Sequence, residues 1–129
     1  MILDRNLRFS NAQSVAASAA STDYIDLMVT APIIGEGSRP VSIYIVVTTA
    51  IVGDTVVVTL QTDAATSFDT GPTTAQTIGT IPSGAAIGYA LTVPFEIDGV
   101  EALDRYIRLY YTDSGSVSAG AVTAFLATN

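Results

Sequence analysis

The sequence predicts an all-β domain of Greek-key or jelly-roll type, a sandwich or barrel of about eight short strands. Three observations predict it. Val, Ile and Thr are abundant while charged residues make up only 13% of the chain, a composition suited to pleated, half-buried surfaces. Several segments alternate apolar and polar residues with period two. Clusters of Gly, Pro, Asp and Ser separate them at intervals of roughly 8–15 residues, the spacing of strands joined by turns.

The 129 residues suit a single domain, 1–129. It divides into an N-terminal arm, 1–20, and a β-sandwich core, 21–129. Within the arm, "SNAQSVAASAAS" is small and weakly polar, lacks a 3.6-residue apolar stripe, and reads as an arm or an edge strand. "DYIDLMVT" places Ile25, Leu27 and Val29 on one face and Tyr24, Asp26 and Met28 on the other. "APIIGEGSRP" reads as a loop. "VSIYIVVTTA" is the strongest strand, with Val41, Ile43, Ile45 and Val47 on one face. It is followed by a Gly-Asp turn and a second strand whose inner residues are Val56, Val58 and Leu60; the two read as a hairpin. "AATSFDTGPT" is a long turn, and "TAQTIGTIPSG" a short strand ended by Pro82-Ser83-Gly84. "AAIGYALTVPFEI" is expected to be a strand with Ile87, Tyr89, Leu91 and Val93 in register, Pro94 ending its pairing or marking an edge. "DGVEALD" is an acidic connection, 105–112 a strand, "DSGSVSAG" a turn and "AVTAFLA" the last strand.

Charge and residue types remove several classes of function. The formal net charge is −7, so neither nucleic acid nor an anionic membrane surface is an expected partner. The opening "MILDRNLRF" interrupts its apolar positions with charges and is not expected to be a secretory signal. There is no run of 18 apolar residues, and a soluble protein, or one displayed on something large, is expected. The chain contains no His and no Cys, and its five basic residues are all Arg. Ser-His-Asp and Cys-His catalysis, zinc fingers, Schiff bases and P-loop lysines are therefore excluded. Glu96, Asp98, Glu101 and Asp104 form an acidic cluster. Their spacing matches no calcium motif, and a solvated loop is the expected reading over structural Ca²⁺ or a catalytic carboxylate pair. Asp63 and Asp69 flank a turn, as Asp does through its own side-chain hydrogen bonds. "GEG" at 35–37 lacks the helix that a dinucleotide site requires. No catalytic, cofactor-binding or metal-binding residue is expected, and no enzyme activity.

The densest chemistry is in "RYIRLYYTDSG". Strand alternation turns Ile107, Leu109 and Tyr111 inward and Tyr106, Arg108 and Tyr110 outward. A rigid row of Tyr and Arg has the composition of interface hot spots, because Arg pairs with carboxylates and stacks on aromatic rings. A self-contained ladder is the other reading, with Arg108 pairing an acidic neighbour in its own chain. Candidate interface residues are Tyr106, Arg108 and Tyr110, together with Leu7, Arg8 and Phe9 from the arm, which is expected to lie on a neighbouring molecule. Aromatic platforms also bind sugars, although the chain has no Trp.

Three pieces in order carry a family resemblance: "MILDRNLRFSNAQSVAASAASTDYIDL", "VVVTLQTDAATSFDTGPTT" and "RYIRLYYTDSGSVSAGAVTAFL". The chain resembles the capsid cement (decoration) proteins of tailed bacteriophages, the family represented by the cement protein of a short-tailed Bordetella phage. The resemblance covers most of the length. It implies a jelly-roll-like antiparallel sandwich, no enzyme activity, and assembly as a homodimer or homotrimer. It further implies a place in the virion, on the outer surface of the capsid, where the protein bridges neighbouring major capsid proteins and stabilises the shell. The alternative is a virion-associated or secreted carbohydrate-binding β-sandwich module.

Overall fold

A computed structural model describes residues 7–26, 41–69, 71–94 and 105–128. Among these described residues nine strands are seen: β1 (Arg8–Ser14), β2 (Ala19–Ala20), β3 (Ile25–Asp26), β4 (Val41–Val52), β5 (Val56–Asp63), β6 (Thr73–Ile81), β7 (Ala90–Pro94), β8 (Tyr106–Asp113) and β9 (Ala119–Thr128). They form two antiparallel sheets, one ordered β1-β9-β4-β7 and the other β2-β8-β5-β6, with β3 also paired to β8. Strands β2 and β3 meet β8 at Tyr110–Tyr111 and at Tyr106–Ile107, so together they act as one interrupted edge strand. With that pair counted once, each sheet has four positions and the chain changes sheet between β1 and β2, β3 and β4, β4 and β5, β6 and β7, β7 and β8, and β8 and β9, staying within one sheet only from β5 to β6. This is jelly-roll topology.

Period-two alternation builds the core. Ile43, Ile45 and Val47 from β4 face Val56, Val58 and Leu60 from β5, and Ile107, Leu109 and Tyr111 from β8; all are at most 1% exposed. Each inner face would leave apolar area in water if its sheet stood alone, and burying it against the other is the main favourable term.

The strands β4 and β5 do not form the expected hairpin. Strand β4 pairs with β7 and β9, whereas β5 pairs with β6 and β8. Gly53-Asp54 carries the chain over the end of the sandwich instead, and both strands present an apolar inner face to the same core. Alternation alone is equally satisfied by pairing side by side and by facing across a core. The turn is held at that end by Ser118 N donating to Val52 O (2.8 Å), Ser114 N donating to Thr55 O (3.2 Å), and a 2.7 Å hydroxyl pair between Thr55 and Ser114.

The boundary expected at residue 20 is not one that the packing follows. Strand β1 pairs along β9, with bulges at the shifts between Arg8 and Ser10 and between Ser10 and Gln13. Phe9 (0% exposed) and Val15 (1%) are core residues. The edge-strand reading of this segment therefore describes Arg8–Ser14 better than an arm does. Bulges of this kind suit an edge strand, since they interrupt the open row of backbone groups that would template pairing with another chain. The strand expected over 85–97 also begins later. Gly84 and Gly88 have φ of +81° and +93°, and two turns result, closed by Ala85 N to Pro82 O and Tyr89 N to Ala86 O. Regular strand begins at Ala90, where Leu91 and Val93 pack against the core while Ile87 (72%) and Tyr89 (37%) are exposed. Pro94, the last described residue of this edge strand, lies opposite Ser42. The expected strand at 23–30 is described as far as Asp26; its remainder, the loop at 31–40 and the whole acidic stretch 96–104, with Glu96, Asp98, Glu101 and Asp104, lie outside the described residues.

A polar chain closes one side of the sandwich. The Tyr111 hydroxyl lies 2.7 Å from Ser10 Oγ, which donates to Gln13 Oε1 (2.8 Å). Gln13 Nε2 donates to Ala20 O, and Gln13 Oε1 accepts from Thr22 N. Asp23 N donates to Phe9 O at 3.0 Å. Edge strand β1 of one sheet is thus tied to the β2 edge of the other through one buried tyrosine and one glutamine.

These contacts and the turn at Gly53 generate four expected outcomes. Tyr111→Phe removes the buried hydroxyl and lowers stability by about 1 kcal/mol, measurable by urea unfolding. Burial pushes the Tyr111 phenol well above the usual tyrosine range, with Ser10 opposing. The unfolded chain therefore ionises first, and stability held below about pH 10 falls as pH rises beyond it; Tyr111→Phe shows a weaker alkaline loss. Gly53 has φ +110°, and a Cβ there would run into the Ser116 carbonyl. Gly53→Ala costs roughly 2 kcal/mol or more. Deleting residues 2–20 removes Phe9, Val15 and Gln13, so the truncated chain loses its cooperative thermal transition, where a separable arm would have left it intact.

Candidate protein interface

The outward residues of β8 land where alternation puts them. Tyr106, Arg108 and Tyr110 are half-buried on the face of the five-stranded sheet opposite the core, beside the fully buried Ile107, Leu109 and Tyr111. Register sets their neighbours: Asp63 and Asp26 flank Tyr106, Gln61 is opposite Arg108, and Thr59 and Ala20 flank Tyr110.

Aromatic and guanidinium groups interlock on this face. Tyr24 meets Tyr106 edge to face at 5.5 Å between ring centroids, and Phe68 at 6.4 Å. Such geometries follow the ring quadrupole. The Arg105 guanidinium lies 5.2 Å from the Tyr106 ring centre and binds Asp26 through both carboxylate oxygens, Nε to Oδ1 at 2.8 Å and Nη2 to Oδ2 at 3.0 Å. The Asp26 hydrogen bond, then its charge, then Tyr106 raise the Arg105 pKa. The pair is substantially exposed and so contributes position more than stability.

Arg108 is held differently. Its guanidinium lies over the Phe68 ring at 4.3 Å, and its Nε donates to Gln61 Oε1 at 2.8 Å. Among the described residues Arg108 makes no ion pair. Desolvation lowers its pKa, with Tyr110 and Asp63 opposing; the group stays protonated at neutral pH. Asp63 is 8% exposed: its Oδ1 accepts from Ala65 N at 3.2 Å, and its Oδ2 is buried without a hydrogen-bond partner.

The loop after β5 supplies the ring under Arg108. Phe68 has φ +53° and is 5% exposed, a conformation that costs a bulky residue of order 1 kcal/mol or more. Burial of the ring and the stacked guanidinium offset that cost. Ser67 Oγ donates to Asp69 Oδ1 and Phe68 N to Ala65 O, fixing the turn. Both aspartates are therefore turn residues, as the sequence predicts, and Asp63 also faces Arg108.

The expected interface set is not one surface. Leu7 is 37% exposed and Arg8 half-buried, but both belong to the β1 edge of the other sheet. The Phe9 ring lies in the core, so its side chain is unavailable to a partner. Of the six residues, Tyr106, Arg108 and Tyr110 are brought together. Sequence reasoning missed Phe68, Gln61 and Tyr24 as members of this face. The isolated apolar Phe68 between two turn-forming aspartates was the available signal.

The Bbp16 family model matches residues 9–126, a span running from β1 into β9 and including the whole of this face. No curated protein matches the chain. With the match extending over both sheets, the chain belongs to the Bbp16 family, which carries the name of a Bordetella phage protein.

Proposed function

We propose that this chain is a capsid cement (decoration) protein, binding the outer surface of a phage head and bridging neighbouring major capsid proteins. It acts without chemistry of its own and assembles with copies of itself as a dimer or trimer. The observation that carries this reading is the Tyr106–Arg108–Tyr110 row, a rigid aromatic and cationic face on a member of a phage protein family. Tyr and Arg dominate interface hot spots because each brings much contact area with few rotatable bonds or a pre-formed donor fork. Here Phe68, Tyr24 and Gln61 fix both groups before any partner arrives, which reduces the ordering cost of docking.

Stabilisation follows from linkage. A protein that binds two adjacent subunits in the assembled lattice, and not the separated ones, adds its binding free energy to the shell. Many symmetric copies make modest individual contacts sufficient. If the footprint spans subunits whose spacing changes during maturation, binding is confined to the expanded shell.

Saturable co-sedimentation with expanded shells that lack this protein, and none with precursor shells, is the expected result; a folded protein that fails to bind intact expanded shells overturns the proposal. The double variant Tyr106→Ala/Arg108→Ala is expected to lower shell occupancy or yield monomers while its β-sheet circular dichroism is retained. Wild-type occupancy and oligomeric state in that variant would leave the face as an internal ladder.

A further inference from the structure

Arg108 is positioned as half of an unfinished salt bridge. Its Nε is committed to Gln61 and one face of its guanidinium to Phe68. Its terminal nitrogens, Nη1 and Nη2, make no hydrogen bond to any described residue, and neither is a buried, unsatisfied atom. They therefore remain reachable from outside. Arg105, three residues earlier, has its fork filled by both oxygens of Asp26. The two arginines show the same side chain with and without its carboxylate.

Among the described residues, Asp63 faces Arg108 but does not complete it. Asp63 lies diagonally across the β5–β8 pair, opposite Tyr106 while Arg108 is opposite Gln61. Its Oδ1 is engaged by Ala65 N, and its buried Oδ2 has no hydrogen-bond partner. Asp63 thus favours the charge of Arg108 without occupying its donors.

The geometry points to Arg108 as a socket for a carboxylate, supplied by an aspartate or glutamate side chain of the protein on which this sheet face docks. A guanidinium presents parallel N–H donors that match the two oxygens of a carboxylate. Stacking on Phe68 and the Gln61 bond hold that fork in place, so less freedom is lost when the acid arrives. A carboxylate fits better than a phosphate group: one guanidinium is available, and the neighbouring Asp63 charge opposes a dianion. A second copy presenting this same face is disfavoured as the donor, because its acids there are committed: Asp26 is bound by Arg105 and Asp63 is buried. This inference rests on the docking role proposed for the face and names the group that the face recognises.

Two measurements separate the socket from that role. In the first, the Arg108 Nε–Hε resonance of the isolated protein is followed by NMR during titration with sodium acetate, against sodium chloride at equal ionic strength. A saturable shift specific to acetate is expected, and acetate behaving as chloride does overturns the socket whether or not shells bind. In the second, occupancy on expanded shells is compared for wild type, Arg108→Gln and Arg108→Lys. Roughly a tenfold or greater loss of affinity is expected for Arg108→Gln, with partial retention in Arg108→Lys, which keeps the charge and loses the fork. Equal binding by all three overturns the inference while leaving the cement role standing. Failure of wild type to bind contradicts the cement role, and the acetate titration then decides the socket. Loss of self-association in Arg108→Gln, with the affinity of the remaining protein for the shell unchanged, would assign the carboxylate to a second copy and overturn the partner named here.

Discussion

The hydrogen bond between Tyr111 and Ser10 fixes how the two sheets close. Tyr111 points inward from β8, and its hydroxyl meets β1 of the opposite sheet inside the core. A buried hydroxyl without a partner is costly, whereas one that bridges two strands is satisfied and specifies a single arrangement. Ser10 passes the connection to Gln13, and Gln13 to the backbone at Ala20 and Thr22. One edge strand of each sheet, β1 and β2, is thereby locked to β8. Because successive residues of a strand face opposite ways, the same anchoring that holds Tyr111 inside holds Tyr110, Arg108 and Tyr106 outside in a fixed row. The candidate interface face and part of the core are set by one strand.

That coupling gives the outer face of β8 a defined arrangement. Strand β8 presents the row, and the loop after β5 supplies the ring beneath Arg108. Arg108 is fixed by a ring below and an amide beside it, Tyr106 by Tyr24 and Arg105, and Arg105 by Asp26. Much of the cost of ordering an interface is met when the domain folds.

Strand positions and facing were legible where alternation was strong. Ile43, Ile45 and Val47, and Ile107, Leu109 and Tyr111, face the core as period two predicts. Pairing was not legible in the same way. Val56, Val58 and Leu60 alternate like a hairpin partner of β4, yet they face it across the core, and alternation carries no information on which inner face lies beside or opposite another. Small residues hid β1, whose role rests on Phe9, Val15 and backbone pairing to β9 rather than on a hydrophobic stripe. Gly84 and Gly88 broke the strand expected to contain Ile87 and Tyr89, a backbone effect that the apolar pattern masked. In the candidate interface, Tyr106, Arg108 and Tyr110 were visible as a row within one strand. Phe68 and Gln61 were not, since their place beside Arg108 depends on the β5–β8 register and on the path of the loop after β5.

The most direct measurement is a cryo-electron-microscopy reconstruction of the phage head at side-chain resolution. It should show this chain on the outside of the shell, over a junction between neighbouring capsid subunits, with the outer face of β8 turned to a protein surface. Density for the chain with Tyr106, Arg108 and Tyr110 all facing solvent, or a head with no density for it on the outer surface, would contradict the central claim.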